Sequence, residues 1–236
     1  MRNPSRYRGH RFPPEIIGYA VWLYHRLTLS FRDIEDLLAE RGIIVSYESI
    51  RKWCVKFAPD YANQLRKRQG KPGDTWHMDE MTIITVQGER RYLWRAVDPD
   101  NHVIDMLIQR RKGKQAARCF FRKMLQEQGQ SPRWMITDKL RSYGAARREA
   151  MPAVVHHPDR YANNRADASH RHTRQHERHM RRFKSPGQAQ RFLAVHSQVH
   201  NVFRLSRHLL RARHYRLFRS RAFSTWQAVT CVQTTI

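Results

Sequence analysis

The chain has 236 residues, with 45 Lys+Arg against 20 Asp+Glu and a formal charge of +25. That length accommodates a medium domain and a small one, and that charge requires a polyanionic partner, of which nucleic acid is the first candidate. No apolar run has membrane-spanning length and no secretory core follows Met1, so a cytoplasmic, DNA-associated protein without a membrane partner is expected. Cys54, Cys119 and Cys231 are odd in number and lack C-x-x-C spacing, which excludes a disulfide framework or a thiolate zinc site as the organising principle.

Residues 1–12 carry Arg2, Arg6, Arg8 and Arg11 without apolar periodicity and read as a basic flexible arm. From Pro13, residues Ile16, Ile17, Ala20, Val21, Leu23 and Tyr24 recur at helical spacing, with proline suited to the first turn. Ser30 offers an N-cap for a second helix, with Asp33 in capping-box position and Gly42 as its stop. Ser46 caps a third helix through Ile50, Trp53, Cys54 and Phe57, whose polar side carries Tyr47, Arg51, Lys52 and Lys56. Three short helices ending on a basic one predict a helix-turn-helix domain over 13–58, with those four side chains as the DNA-binding set. Three-helix packing without base readout is the plainer alternative. Residues 59–73 lose periodicity and read as a linker.

The second domain, 74–185, opens with three strands: Thr75 to Val86, Arg91 to Val97 and His102 to Gln109. Turn residues Gln87-Gly88-Glu89 and Asp98-Pro99-Asp100-Asn101 separate them. A helix over Lys114 to Gln128 follows, then a strand at Arg133 to Thr137, a helix to Ala150, a strand at Ala153 to His156, and a helix entered by Asp167. This β-β-β-α-β-α-β-α order predicts an α/β, RNase H-like mixed-sheet domain, preceded by the small helical one. In such a fold the first and fourth strands lie side by side. The remaining residues, 186–236, form a helical region in which Phe192, Val195, Val199, Val202, Phe203 and Leu209 or Leu210 share one face of a single amphipathic helix.

Asp79 lies in the apolar run Trp76-His77-Met78-Asp79-Glu80-Met81, and Asp138 ends Trp134-Met135-Ile136-Thr137-Asp138. An acid in a buried strand is costly unless it is paired or holds a metal. With Asp167 closing from a third direction, the three are candidate catalytic and metal-ligating residues. Oxygen donors suit Mg²⁺ or Mn²⁺, and two such ions would serve phosphodiester chemistry. Each also has an ordinary alternative: a salt-bridged strand residue for Asp79, helix caps for Asp138 and Asp167. His172, His176 and His179 at i, i+4 and i+7 are a weaker zinc candidate among many arginines, better suited to approaching phosphates.

The segments Thr75-Trp76-His77-Met78-Asp79-Glu80, Ile136-Thr137-Asp138-Lys139-Leu140-Arg141-Ser142-Tyr143, Asn163-Asn164-Arg165-Ala166-Asp167 and Arg181-Arg182-Phe183-Lys184-Ser185 occur in that order. Together they resemble bacterial DDE-type insertion-sequence transposases, nearest the insertion-sequence-six family. The resemblance implies metal-dependent 3′-end cleavage and strand transfer at terminal inverted repeats, with no covalent protein intermediate, and joining of donor to target DNA. It places the first two catalytic acids on Asp79 and Asp138. The third, normally glutamate, falls on Asp167, one carbon shorter. Arg174, seven residues on, matches the family's basic residue on that helix, and Arg178 lies one turn further as a second DNA contact.

Two functional classes follow from this reading. One is a transposase that works as a homo-oligomer, since two DNA ends must be brought together, on terminal-repeat and target duplexes. The alternative is a catalytically impaired remnant that binds transposon ends without cutting them.

Overall fold

Strand β1 (Thr75–Ile84) is the hub of the sheet because both of its edges are used. On one edge it pairs antiparallel with β2 (Arg90–Val97), which pairs antiparallel with β3 (Val103–Gln109). On the other it pairs parallel with β4 (Trp134–Thr137), which pairs parallel with β5 (Val155–Pro158). The order β3-β2-β1-β4-β5 is that of the RNase H-like sheet expected from the sequence. These coordinates are a computed structural model describing residues 6–138, 140–159, 161–205 and 209–230, and of residues 165, 167 and 168 the backbone alone. The chain divides into two units, Gly70–Leu193 and Met1–Gln69 with Ala194–Ile236.

In the sheet-containing unit, alternation along β1 sends Trp76 and Met78 to one face and His77 and Asp79 to the other. The first face, joined by Trp94 and Ala96 from β2, is covered by α4 (Lys114–Gln128) and α5 (Arg141–Ala150) through Phe120, Phe121, Met124 and Tyr143. Gly129 ends α4 with φ 65°, a left-handed cap that only glycine adopts without strain. On the second face Val97 and Val103 meet Ala166 of α6 (Asn164–His179). The free edge of β3 is closed by the first turns of α7 (Pro186–Phe203), where the Gln190 carboxamide oxygen accepts the Ile108 N–H at 2.7 Å. That bond occupies one of the edge donors of β3.

The helical unit contains α1 (Pro14–Arg26), α2 (Phe31–Ala39), α3 (Tyr47–Arg68) and α8 (Ala212–Thr230). The capping box at Ser30 is complete: Ser30 Oγ accepts the Asp33 N–H at 3.1 Å and Asp33 Oδ2 accepts the Ser30 N–H at 2.7 Å. Ser46 caps α3 by accepting the Ser49 N–H at 3.3 Å. Ile17, Val21, Ile34, Leu38, Ile50 and Phe57 supply a buried core.

Three expectations change. Helix α3 does not stop before Pro59 but continues to Arg68. Proline costs the helix one hydrogen bond, yet Tyr61, Ala62 and Leu65 are buried at helical spacing beyond it, and that burial outweighs the loss. Residues 6–12 are not a free arm: Tyr7 is buried with its hydroxyl 2.6 Å from that of Tyr61, and Phe12 packs edge-on against Trp53. Aromatics spaced between arginines anchor that segment; residues 1–5 lie outside the described residues. The C-terminal region holds two helices, α7 and α8, and Leu209 is 75% exposed between them instead of extending the apolar face of the first.

Candidate active site

Register explains why two acids far apart in sequence meet. In the parallel β1/β4 ladder Met78 faces Thr137, so the residues next in line, Asp79 and Asp138, emerge together where β4 ends. Beyond that point β1 has lost its partner on this side, and a crevice opens at the carboxyl ends of two adjacent parallel strands. Ligands of α/β sheets favour such positions.

The crevice also holds a third carboxylate, Glu80. One oxygen each from Asp79, Glu80 and Asp138 lies within 4.8 Å of the other two. Glu80 points to the α4/α5 face, opposite to Asp79, yet the missing neighbour strand lets its longer side chain turn back toward Asp138. Its side chain is 2% exposed, forms an ion pair with Lys112, and accepts the Tyr143 hydroxyl at 2.6 Å. Burial raises the Glu80 pKa, against the opposing pull of Lys112 and Tyr143. Burial draws Lys112 down, but Glu80, Asp138 and Asp79 outweigh it and leave that ammonium above its ordinary value. Burial, then Glu80, pushes the Tyr143 phenol well up, so it stays a donor. Asp138 Oδ1 accepts the Leu140 N–H at 3.0 Å, a local turn bond; the N-cap of α5 is Leu140, without a side-chain cap, so Asp138 is not the helix cap read as its ordinary alternative.

Asp79 is approached from the α6 side. His170 Nε2 is 3.5 Å from Asp79 Oδ2, and Arg95 stands opposite Asp79 in the β1/β2 ladder. The Arg95 guanidinium is buried and donates to the Ser169 carbonyl and the Thr173 hydroxyl, both at 2.6 Å. Burial lowers its pKa to about 10, with Asp79 opposing, so it remains a cation at neutral pH. The Asn163 carboxamide donates to the Met78 carbonyl at 2.9 Å, tying the start of α6 to the residue before Asp79. Asp167 lies in the first turns of α6, and its side chain is outside the described residues.

Sequence reasoning named Asp79 and Asp138, which the structure brings together, and missed Glu80, Arg95 and Tyr143. A lone arginine inside Tyr92-Leu93-Trp94-Arg95-Ala96-Val97 was a usable signal, because a cation in a buried strand needs a partner as much as an acid does. Glu80 gave none, since strand alternation assigns it to the opposite face. Glu177 Oε1 accepts the Ile84 N–H at 3.3 Å, five positions along β1 from Asp79, and so does not stand in for Asp167. His176 is buried against Phe192 with ring centroids 5.3 Å apart, while His172 and His179 are exposed. Asp98, Asp100 and His102 also cluster, at the β2–β3 turn, where Asp98 Oδ1 accepts the His102 N–H at 2.8 Å. Turn chemistry accounts for that group.

Of the residues expected on DNA, Arg174 and Arg178 are exposed on α6. Tyr47, Arg51, Lys52 and Lys56 are exposed on α3. Arg32 lies over the Tyr47 ring at 5.2 Å, Glu48 grips Arg51 with two bonds of 2.7 and 2.8 Å, and Lys56 Nζ is 2.9 Å from His10 Nε2.

The donor set in the crevice is all oxygen, which fits a hard divalent cation and disfavours a soft one. Among the described residues no helix is long and apolar enough to cross a membrane.

Residues 73–206 match the family model of a DDE domain, of the IS240 transposase type. The transposase for insertion sequence-like element IS431mec of Staphylococcus aureus is 32% identical over 171 residues, covering 70% of this chain and 75% of the relative. The transposase for insertion sequence element IS257 in transposon Tn4003, from Staphylococcus aureus, is 30% identical over the same length and coverage. Among solved structures, a chain of the simian T-cell lymphotropic virus intasome in complex with PP2A regulatory subunit B56 gamma aligns at 14% identity and a TM-score of 0.44. That alignment covers 72% of this chain and 59% of the viral one.

Proposed function

Because this chain belongs to the insertion-sequence-six family of DDE-type transposases, we propose that Asp79, Asp138 and Asp167 form its catalytic set. In this reading they act on the terminal inverted repeats of the chain's own element, cleaving 3′ ends and transferring them to target DNA. The observation that carries this reading is the convergence of the Asp79, Glu80 and Asp138 carboxylates at the open end of two adjacent parallel strands.

Divalent-metal dependence comes with the DDE domain. We assign Mg²⁺ or Mn²⁺, as two ions held by Asp79, Asp138 and Asp167. Bound there, they supply activation of the attacking oxygen and stabilisation of the leaving one. The protein's own part is to hold the acids in place and offset their charge. Arg95 offsets the charge of Asp79 while binding α6, Asn163 fixes where α6 begins, and Lys112 with Tyr143 restrains Glu80 beside the pair. Arg174 and Arg178 extend from α6 as cations for the phosphate backbone.

The helix-turn-helix reading of α2 and α3 is supported by two capped helices and by the basic exposed side of α3, where Tyr47, Arg51, Lys52 and Lys56 would meet the terminal repeats. Synapsis of two ends argues for a homo-oligomer on DNA.

The test is incubation of the purified chain with labelled duplex carrying its element's terminal repeats, in Mg²⁺, Mn²⁺ or EDTA. Asp79→Asn, Asp138→Asn and Asp167→Glu are run alongside. Metal-dependent nicking and joining, abolished by either Asn substitution with DNA binding kept, is the expected result. Binding without cleavage, restored by Asp167→Glu, would instead identify an enzyme impaired at its third acid; no cleavage by either form would leave a DNA-binding remnant.

A further inference from the structure

The segment Arg181-Arg182-Phe183-Lys184-Ser185 is distinctive in sequence, and the catalytic reading gives it no task. In the structure it closes a cavity of about 550 Å³ lined by Thr82 and Ile84 of β1, by Arg174, Glu177 and Arg178 of α6, and by Arg181 and Arg182. Four arginines and a single acid, Glu177, are among its lining residues. Glu177 is occupied by the Ile84 N–H, which holds it at the floor.

The backbone at this place is unusual. Arg181 and Arg182 have φ of 51° and 76°, two successive non-glycine residues in the left-handed region. That conformation disfavours any side chain, and glycine would take it at no steric cost. The turn is pinned on both sides. The Arg182 N–H donates to the Glu177 carbonyl at 2.8 Å, the Val86 N–H donates to the Phe183 carbonyl at 2.9 Å, and Phe183 is fully buried. Cations are favoured at any helix C-terminus, but that preference does not require arginine at two left-handed positions. Strain retained in a rigid turn is a pointer to function.

We propose that this cavity is a docking site for a backbone phosphodiester of the DNA substrate, separate from the carboxylate crevice and set at the edge of β1 where the end of α6 and the Phe183 segment meet it. It rests on the catalytic reading only for the identity of the polyanion. Along β1, at about 3.3 Å per residue, Thr82 and Ile84 lie roughly 10 and 16 Å from Asp79. On B-form DNA that span corresponds to about three to five base pairs. The site therefore grips the strand a few nucleotides from the phosphate undergoing reaction and sets its register in the crevice.

Charge and backbone strain predict opposite effects for one substitution, which makes the proposal testable on the full chain. Arg181→Gly with Arg182→Gly removes two cations and relieves two left-handed positions. Binding to a fluorescent 30-base-pair duplex is measured by anisotropy over a KCl series without divalent metal, together with the thermal midpoint. The expected result is a fall of about one in the salt slope, at roughly 0.9 per lost phosphate contact, with an unchanged or higher midpoint. Arg181→Lys with Arg182→Lys keeps the slope. An unchanged slope in the glycine pair overturns the proposal.

Two duplexes, one carrying the element's terminal repeat and one scrambled, separate the sources of the phosphate. Equal loss on both assigns a general backbone grip, and a larger loss on the repeat assigns the transposon end. The measurement needs no cleavage, so failure of the catalytic reading would show separately, as an unmodified chain that binds with full slope and does not cut in Mn²⁺.

Discussion

Arg95 and Asp79 face each other across the β1/β2 ladder, and the guanidinium that offsets the acid also binds the helix carrying Asp167 through Ser169 and Thr173. One side chain therefore couples the first acid to the element of the third. Arg95→Met would leave Asp79 without its buried counter-charge and α6 without two bonds, and should cost about 3–5 kcal/mol in urea unfolding. Arg95→Lys should recover part of this while cleaving more slowly at saturating DNA, because an ammonium lacks the planar fork that reaches both partners. Equal cleavage rates for Lys and Arg at this position would contradict the coupling.

Tyr143 is the hydroxyl donor to a carboxylate that burial already disfavours. Tyr143→Phe keeps the ring packed against Trp94, Phe121 and their neighbours and removes only the donor. Stability should fall by about 1.5–3 kcal/mol, the range for a hydrogen bond to a charged group. Glu80→Gln, whose amide can still accept that bond, should cost less than Tyr143→Phe. The reverse order would mean the bond is incidental.

Asp105 on β3 offers a test in pH. Its side chain is 1% exposed and receives Lys123 Nζ at 2.6 and 2.7 Å, yet burial raises its pKa more than the lysine lowers it. A carboxyl raised in the folded state holds its proton more tightly there than in the unfolded chain. Its contribution to stability is thus fully present below the unfolded pKa and is lost as pH rises through the folded one. Asp105→Asn should become more favourable relative to the unmodified chain as pH rises above the ordinary aspartate value of 3.8, followed as the difference in urea midpoint. A difference that moves the other way would show that Lys123 dominates.

Gly18 in α1 is a helix-interior glycine at which alanine should be harmful. A Cβ there would meet Thr230 Cβ at 2.9 Å and its Oγ1 at 3.0 Å. Helix propensity favours alanine by about 1 kcal/mol, whereas overpacking costs about 1–3 kcal/mol. Gly18→Ala should lower the thermal midpoint, and adding Thr230→Ala, which removes Oγ1 and Cγ2, should restore part of it. A stabilised single variant would mean that the two helices give way easily.

Much of the catalytic unit was legible because its signals are local. The turn residues 87–89 and 98–101 separate three strands, and apolar runs ending in acid mark β1 and β4. The helical boundaries were harder, since Pro59 punctuates the sequence but not α3, where Tyr61, Ala62 and Leu65 find partners distant in the chain. At the site, Asp79 and Asp138 stand out as acids in apolar strands. Glu80 became visible only with β4's end point, because a crevice between strands is a property of register and not of either strand's sequence. Asn163 was noticed as part of a motif, but its bond to the Met78 carbonyl spans 85 positions and leaves no local trace.

The hydroxyl of Tyr7 donates to the carbonyl of Thr230, and Gly18 lies against that same threonine. During translation, therefore, the helical unit cannot close while only its first 69 residues have emerged, since its remaining pieces lie beyond residue 193. The ribosome delivers the whole segment with the carboxylate crevice first, and the apolar faces of α1 and α3 must wait through that interval for α8. A nascent chain stalled or cleaved before Ala212 would carry the acids with an unfinished helical partner. Competence of the helical unit thus comes later in synthesis than that of the carboxylate-bearing unit.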